Sequence, residues 1–286
     1  MYAFSERPTS LENARVVVLP VPYDLSLSWL PGARRGPEAI LKASEELELF
    51  DLELGFAPAD AGIYTAPPVP IVAGDAARSH AEIERAAGEH LEAGRFLVAL
   101  GGDHSITLPL VRAHRARYGE FGVLHLDAHD DLYPEWQGSA LSHASVMRRV
   151  AELGVSLVQV GQRAYAEESW GFAKEAGIPV FPAHQIRREG VPVRAILEAL
   201  PKRVYLSFDF DVLDPSEMPA VGTPLPGGLR YGEAAELLAA VFAEKEVVGA
   251  DFVELSPIPG LFFPEMTAAS LVYRAIGLKA RSAGWV

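Results

Sequence analysis

Residues 125–131 read HLDAHDD, three aspartates and two histidines in seven positions. Carboxylates packed so tightly repel one another unless a cation neutralises them, so the pattern points to metal binding or catalysis. On a strand, residues two apart share one face, which would set His125, Asp127, His129 and Asp131 together. His125 belongs to the apolar run GVLHL and is expected to pack inside a sheet, whereas Asp127, His129 and Asp131 fall where that strand ends. Asp130 is expected to face elsewhere. A second stretch, SFDFDVLDP, carries Asp209 and Asp211 at another strand end, on one parity with Tyr205 and Ser207. A third, LGGDHS, turns sharply on its glycines and sets Asp103 and His104 at the mouth of a helix.

Singly, GGDHS reads equally well as a helix cap and DFDVLDP as an Asp-Pro turn. If the three strand ends converge, they supply two histidines, His104 and His129, and four aspartates, Asp127, Asp131, Asp209 and Asp211. One divalent ion would leave two of those four negative charges uncompensated, whereas two ions reach neutrality. Oxygen-rich ligation with a minority of imidazole suits Mn²⁺ better than Mg²⁺ or Ca²⁺, with Zn²⁺ or Fe²⁺ as alternatives.

The elements that must position these residues follow a βαβ rhythm. Apolar strands are expected at residues 15–19, in RFLVAL, GVLHL, VSLVQVG, IPVFP, RVYLSFDF and VVGADFVEL. Helices are expected in RGPEAILKASEELELF, HAEIERAAGEHLEAG, SITLPLVRAHRARYG from near Ser105, residues 193–200, GEAAELLAAVFAE and MTAASLVYRAIGLKAR. Near-continuous Val and Leu runs suit strands covered on both faces. The expectation is therefore one three-layer α/β/α domain over residues 1–286 with a central parallel sheet. YTAPPVPIVAG and residues 214–229 read as long loops, the second placed to line a site. Arg34 and Arg35 in PGARRGP could suggest anion binding, but read more readily as a turn with a solvated basic tip.

A formal net charge of −13 argues against nucleic-acid or anionic-membrane partners and is compatible with a small cationic one. The absence of cysteine removes disulfides, thiolate nucleophiles and Cys-based zinc sites. No signal peptide opens the chain and no apolar run spans a bilayer, so a cytoplasmic location is expected.

GGDHS, DAHDD and SFDFDVLDP, joined by VPYD, PGARRGPEAI, GTPLPGGL and DFVELSP in order, resemble the ureohydrolase family of arginase, agmatinase and their relatives. The resemblance implies the arginase-like three-layer fold and two Mn²⁺ ions. His104, Asp127, Asp131 and Asp209 would surround one, and His129, Asp127, Asp209 and Asp211 the other. It implies hydrolysis of a guanidinium group, with Asp131 passing a proton to the departing amine, His143 exchanging protons with solvent and Glu254 gripping the guanidinium. It also implies assembly as trimers or hexamers.

The loop LYPEWQGSALS offers hydroxyls and an amide but no basic residue for a substrate carboxylate, so agmatine, yielding putrescine and urea, is the expected substrate. Formimidoylglutamase, guanidinobutyrase or arginase activity on the same metals is the alternative. A one-zinc deacetylase-like enzyme and an inactive metal-binding homologue are more distant ones. The sequence departs from the family pattern at Ala144 and Ala220, and in SPIPGLFFPEM after Glu254, which is longer and lacks the usual aspartate.

Overall fold

The computed structural model describes residues 2–26 and 28–286. Among them the apolar runs become β1 (Val16–Val21), β2 (Ile63–Thr65), β3 (Phe96–Gly101), β4 (Gly122–Leu126), β5 (Ser156–Val160), β6 (Val180–Phe181), β7 (Arg203–Asp209) and β8 (Glu246–Val253). These strands form one eight-stranded sheet in the order β2-β1-β3-β8-β7-β4-β5-β6. Every neighbouring pair is parallel. Parallel neighbours need crossovers. The helices are α1 (Gly36–Ser44), α2 (Ala76–Glu92), α3 (Thr107–Tyr118), α4 (Val146–Glu152), α5 (Glu167–Glu175), α6 (Ala183–Glu189), α7 (Val193–Ala199), α8 (Tyr231–Glu244) and α9 (Phe263–Ser282).

Alternate strand residues feed two cores, which makes three layers. Val18, Val98, Leu124, Leu206 and Phe208 pack with α1 and α6 to α9 on one face. Val17, Leu97, Val123, Leu157 and Tyr205 pack with α2 to α5 on the other. No helix among the described residues is long and apolar enough to cross a membrane.

Several boundaries differ from the sequence reading. Tyr64 and Thr65, expected in a loop, end the edge strand β2, and the Pro67–Pro68 pair stops it from continuing. The first helix ends at Ser44, short of the acidic EELELF segment. The helix expected from Ser105 opens with a 3₁₀ turn, His104–Ile106, capped by Asp103, whose carboxylate accepts from Ser105 N at 3.0 Å. Helices α4, α5 and α6 span seven, nine and seven residues, too short for a helical period to stand out.

The sheet order has one consequence for the site. GGDH follows β3, VEL follows β8, SFDFD closes β7 and DAHDD follows β4, and β3-β8-β7-β4 are consecutive at the centre of the sheet. Their carboxyl ends open on one side, where parallel α/β sheets bind ligands.

Candidate metal centre

The turn after β3 is built to deliver His104. A Cβ on Gly102 would lie 1.7 Å from the carbonyl oxygen of Tyr23, so only glycine lets the two backbones pass. Asp103 points away from the cluster and fastens the mouth loop, with its Oδ2 accepting from Ser26 N and Oγ, both at 3.0 Å. His104 N donates to Glu254 Oε1 at 2.8 Å.

The ring of His104 is set from behind. Ser207 Oγ donates to Asp251 Oδ1 at 2.8 Å, and Asp251 Oδ2 takes the hydroxyls of Tyr205 (2.7 Å) and Thr107 (3.0 Å). With its own proton committed, Ser207 Oγ accepts from His104 Nε2 at 2.8 Å. Nδ1 is then turned toward Asp127 Oδ2 (3.0 Å), Asp131 Oδ2 (3.2 Å) and Asp209 Oδ2 (3.2 Å). Burial disfavours charge on this ring, yet the carboxylates of Asp127, Asp131 and Asp209 outweigh it and hold its pKa well above 6.5. The position demands positive charge.

Asp127 links this group to a second. Its Oδ1 lies 3.5 Å from His129 Nδ1, which is 2.9 Å from Asp211 Oδ2. Burial again opposes the charged ring, but Asp211 and Asp127 push His129 up to about 12. Asp209 Oδ1 accepts from Asp211 N at 2.7 Å, and Asp211 Oδ1 accepts from Ala128 N at 2.9 Å, so backbone amides hold both carboxylates in place. Burial, then Asp211 and Asp127, push Asp209 well above the carboxylate range, and burial with Asp127 raises Asp131. Asp127 moves the other way, because His125, His104 and His129 outweigh its burial. Converging carboxylates and an imidazole nitrogen with no hydrogen-bond partner make a donor set that fits divalent cations. Two ligand groups sharing Asp127 suit two such ions.

All six residues expected as ligands are thus brought together, though parity does not do it. β4 ends at Leu126, and the chain then turns, with Asp131 at φ 52°. Glu254, at φ 69°, is the second site carboxylate in the left-handed region. Such a conformation in a non-glycine residue costs about 1–3 kcal/mol and persists where the surroundings enforce it. Asp131 O accepts from Met147 N (3.0 Å) and Arg148 N (3.1 Å), and Glu254 N donates to Gly102 O (2.8 Å).

The cluster floors a cavity of about 560 Å³ also lined by Ser28, Trp29, Tyr133, Trp136, His143 and Glu254. His143 Nε2 is 2.8 Å from Ser28 Oγ, and burial pushes its pKa down. Burial, then Asp103, pushes the Glu254 carboxyl well above its usual range. Asp130 faces away from the cluster, as expected, with Oδ1 and Oδ2 accepting from Leu132 N (2.8 Å) and Ala166 N (2.9 Å). The Arg34 side chain is 64% exposed, a solvated tip beside Asp24.

His125 is buried in the sheet as expected, but its Nε2 also lies 2.8 Å from Asp127 Oδ2. Ser207's hold on His104, Asp251 behind it and Gln159 behind His125 escaped the sequence reading. Their signal was a lone polar residue inside an otherwise apolar strand. Arg163 escaped it too: its guanidinium donates to the carbonyls of Asp211 (2.7 Å) and Leu225 (2.8 Å) and ties down the loop over the site.

Comparison with known proteins is consistent with this geometry. The sequence model of the arginase family matches residues 14–277. An N(1)-aminopropylagmatine ureohydrolase of Thermus thermophilus is 65% identical, covering 99% of this chain and 96% of the relative. A protein of the same name from Synechocystis is 40% identical over 96% of this chain and 92% of its own. The crystal structure of the agmatine ureohydrolase of Thermoplasma volcanium superposes with a TM-score of 0.90 at 26% identity, covering 100% of this chain and 96% of that one.

Proposed function

The chain belongs to the arginase family and is a hydrolase of amidino C–N bonds, and we propose that it releases urea from a guanidino polyamine, N(1)-aminopropylagmatine ahead of agmatine. The observation that carries the choice is the 65% identity, end to end, with an enzyme named for the aminopropyl-extended substrate. This moves the expectation from agmatine to a longer cation of the same class.

The cavity supports the reading. Tyr133 and Trp136, with ring centroids 5.0 Å apart, and the exposed Trp29 offer aromatic faces to an ammonium tail. Among the described lining residues Arg163 is the one arginine or lysine, and its guanidinium is occupied by backbone carbonyls. A substrate carboxylate, as in arginine, guanidinobutyrate or formiminoglutamate, would find no free cationic partner among these described residues.

His104, Asp127, Asp131, Asp209, His129 and Asp211 would hold two divalent cations, Mn²⁺ by donor type, which when bound supply an activated water as nucleophile. Glu254, pinned by His104 N, offers the guanidinium a fixed anion. Addition of that water's oxygen to the guanidinium carbon would make it tetrahedral, and its C–N bond to the alkylamine breaks as Asp131 passes the water-derived proton to the departing nitrogen, leaving urea and a triamine. His143, oriented by Ser28, would exchange protons between the site and solvent. The same reading carries one unit over residues 1–286, a trimer or hexamer measurable by light scattering, and a cytoplasmic location.

A substrate panel on Mn²⁺-loaded protein tests the choice. Urea release from N(1)-aminopropylagmatine should exceed that from agmatine about tenfold or more in kcat/KM, and Trp136→Leu should erode that preference about 3- to 30-fold. Preference for agmatine would restore the shorter substrate. Formamide release from formiminoglutamate would defeat both.

A further inference from the structure

Beneath the carboxylates, four neighbouring strands present a row of polar residues in register: Gln159 on β5, His125 on β4, Ser207 on β7 and Asp251 on β8. All four are fully buried. Ser207 and Asp251 set His104, as described above, whereas Gln159 and His125 take no part in the reaction proposed.

Donor and acceptor counting gives them a role. Gln159 Nε2 lies 2.7 Å from Asp130 O, and reversing the amide would press two oxygens together there. Its Oε1 accepts from the Tyr165 hydroxyl, in keeping with the same orientation. The amide nitrogen therefore also faces His125 Nδ1, 3.0 Å away, and donates to it. A ring nitrogen that accepts carries no proton, so the proton of His125 resides on Nε2, 2.8 Å from Asp127 Oδ2.

We propose that Gln159 locks His125 in its Nε2–H tautomer, making His125 a positioning residue that aims Asp127 between His104 and His129. His125 falls within one group of potential ligand residues with His104, Asp127 and Asp131, and its Nε2 is the atom beside Asp127. With that atom committed as a donor, His125 is not a ligand, and Asp127 is held at the angle that serves both groups. The inference rests on the metal-centre reading and adds to it the residue that orients the shared carboxylate.

Nitrogen NMR of ¹⁵N-histidine-labelled, cation-free protein reads the tautomer directly, and titration with Mn²⁺ alone reads the consequence. The expected result is protonated Nε2 at His125. Gln159→Glu should move the proton to Nδ1 and weaken Mn²⁺ binding about 10- to 100-fold, with Tyr165→Phe having the same sense and smaller size. If the buried carboxylate prevents folding, Gln159→Leu should leave the ring in mixed tautomers with weakened Mn²⁺ binding. Protonated Nδ1 in the unaltered protein, or folded Gln159 variants with unchanged ring resonances and Mn²⁺ affinity, would overturn the lock. An unaltered protein with protonated Nε2 that takes up no Mn²⁺ would overturn the metal-centre reading, not the tautomer assignment.

Discussion

The two faces of the central sheet are cut from the same strands and bury different things. Under α1 and α6 to α9, Val98, Leu124, Leu206 and Phe208 pack into an apolar core. On the opposite face the same strands contribute His125, Ser207 and Asp251, and His114 of α3 leans so close that a Cβ on Gly249 would meet its Nε2 at 2.0 Å. Polar groups in a core destabilise unless every donor and acceptor is answered. The first face therefore serves mainly to hold the fold. The second gives up some apolar burial for fixed proton positions beneath the candidate metal centre.

The largest test of this division is Asp127→Ala. It should reduce urea release more than about a thousandfold, because both ligand groups lose their shared member. The melting temperature should fall only modestly, since losing the acceptor of His125 Nε2 is partly offset by relief of repulsion with Asp131 and Asp209. A collapse of the fold would show that the polar face also carries stability. The converse substitution is Phe242→Ala on α8, buried in the apolar core. It should cost about 3–5 kcal/mol in denaturant unfolding while leaving KM unchanged.

A smaller effect belongs to pH. Burial, with Arg112 adding to it, pushes His80 down to about 4, and burial, partly offset by a hydrogen bond to Leu110 O, does the same to His114. Their folded pKa lies below the unfolded one, so the unfolded chain binds more protons between these values. The stability tied to the neutral rings is complete above pH 6.5 and is lost as pH falls toward 4, by about 3 kcal/mol per ring. Chemical denaturation at pH 7 and pH 4 measures the loss, and His80→Leu should remove its share. An equal loss in that variant would clear His80 of the effect.

The candidate metal centre was legible in the sequence because its chemistry is locally dense. DAHDD and DFD crowd carboxylates into a few positions, and GGDH pairs a ligand with the glycine that only a close backbone approach requires. His125 was legible as a sheet residue from its apolar neighbours, but its contact with Asp127 was not. Gln159 and Asp251 were illegible as its relations, because each is a single polar residue in an apolar strand and acquires meaning only from the register beside it. Parity grouped His129 and Asp131 with Asp127 for the wrong reason, since the strand had ended and a left-handed turn at Asp131 brings them together. The short helices α4 to α6 left no period to read.

Residue types, their spacing and the alternation of apolar positions are local properties, and by themselves they determined the candidate ligands, the strand ends and a layered parallel sheet. That β3, β8, β7 and β4 lie side by side was decided only in the tertiary structure. Parallel neighbours are joined by crossovers long enough to pass over other strands, so their order follows from how the helices cover both faces and not from any local preference. That order alone brings residues 104, 127, 209 and 254 to one cavity.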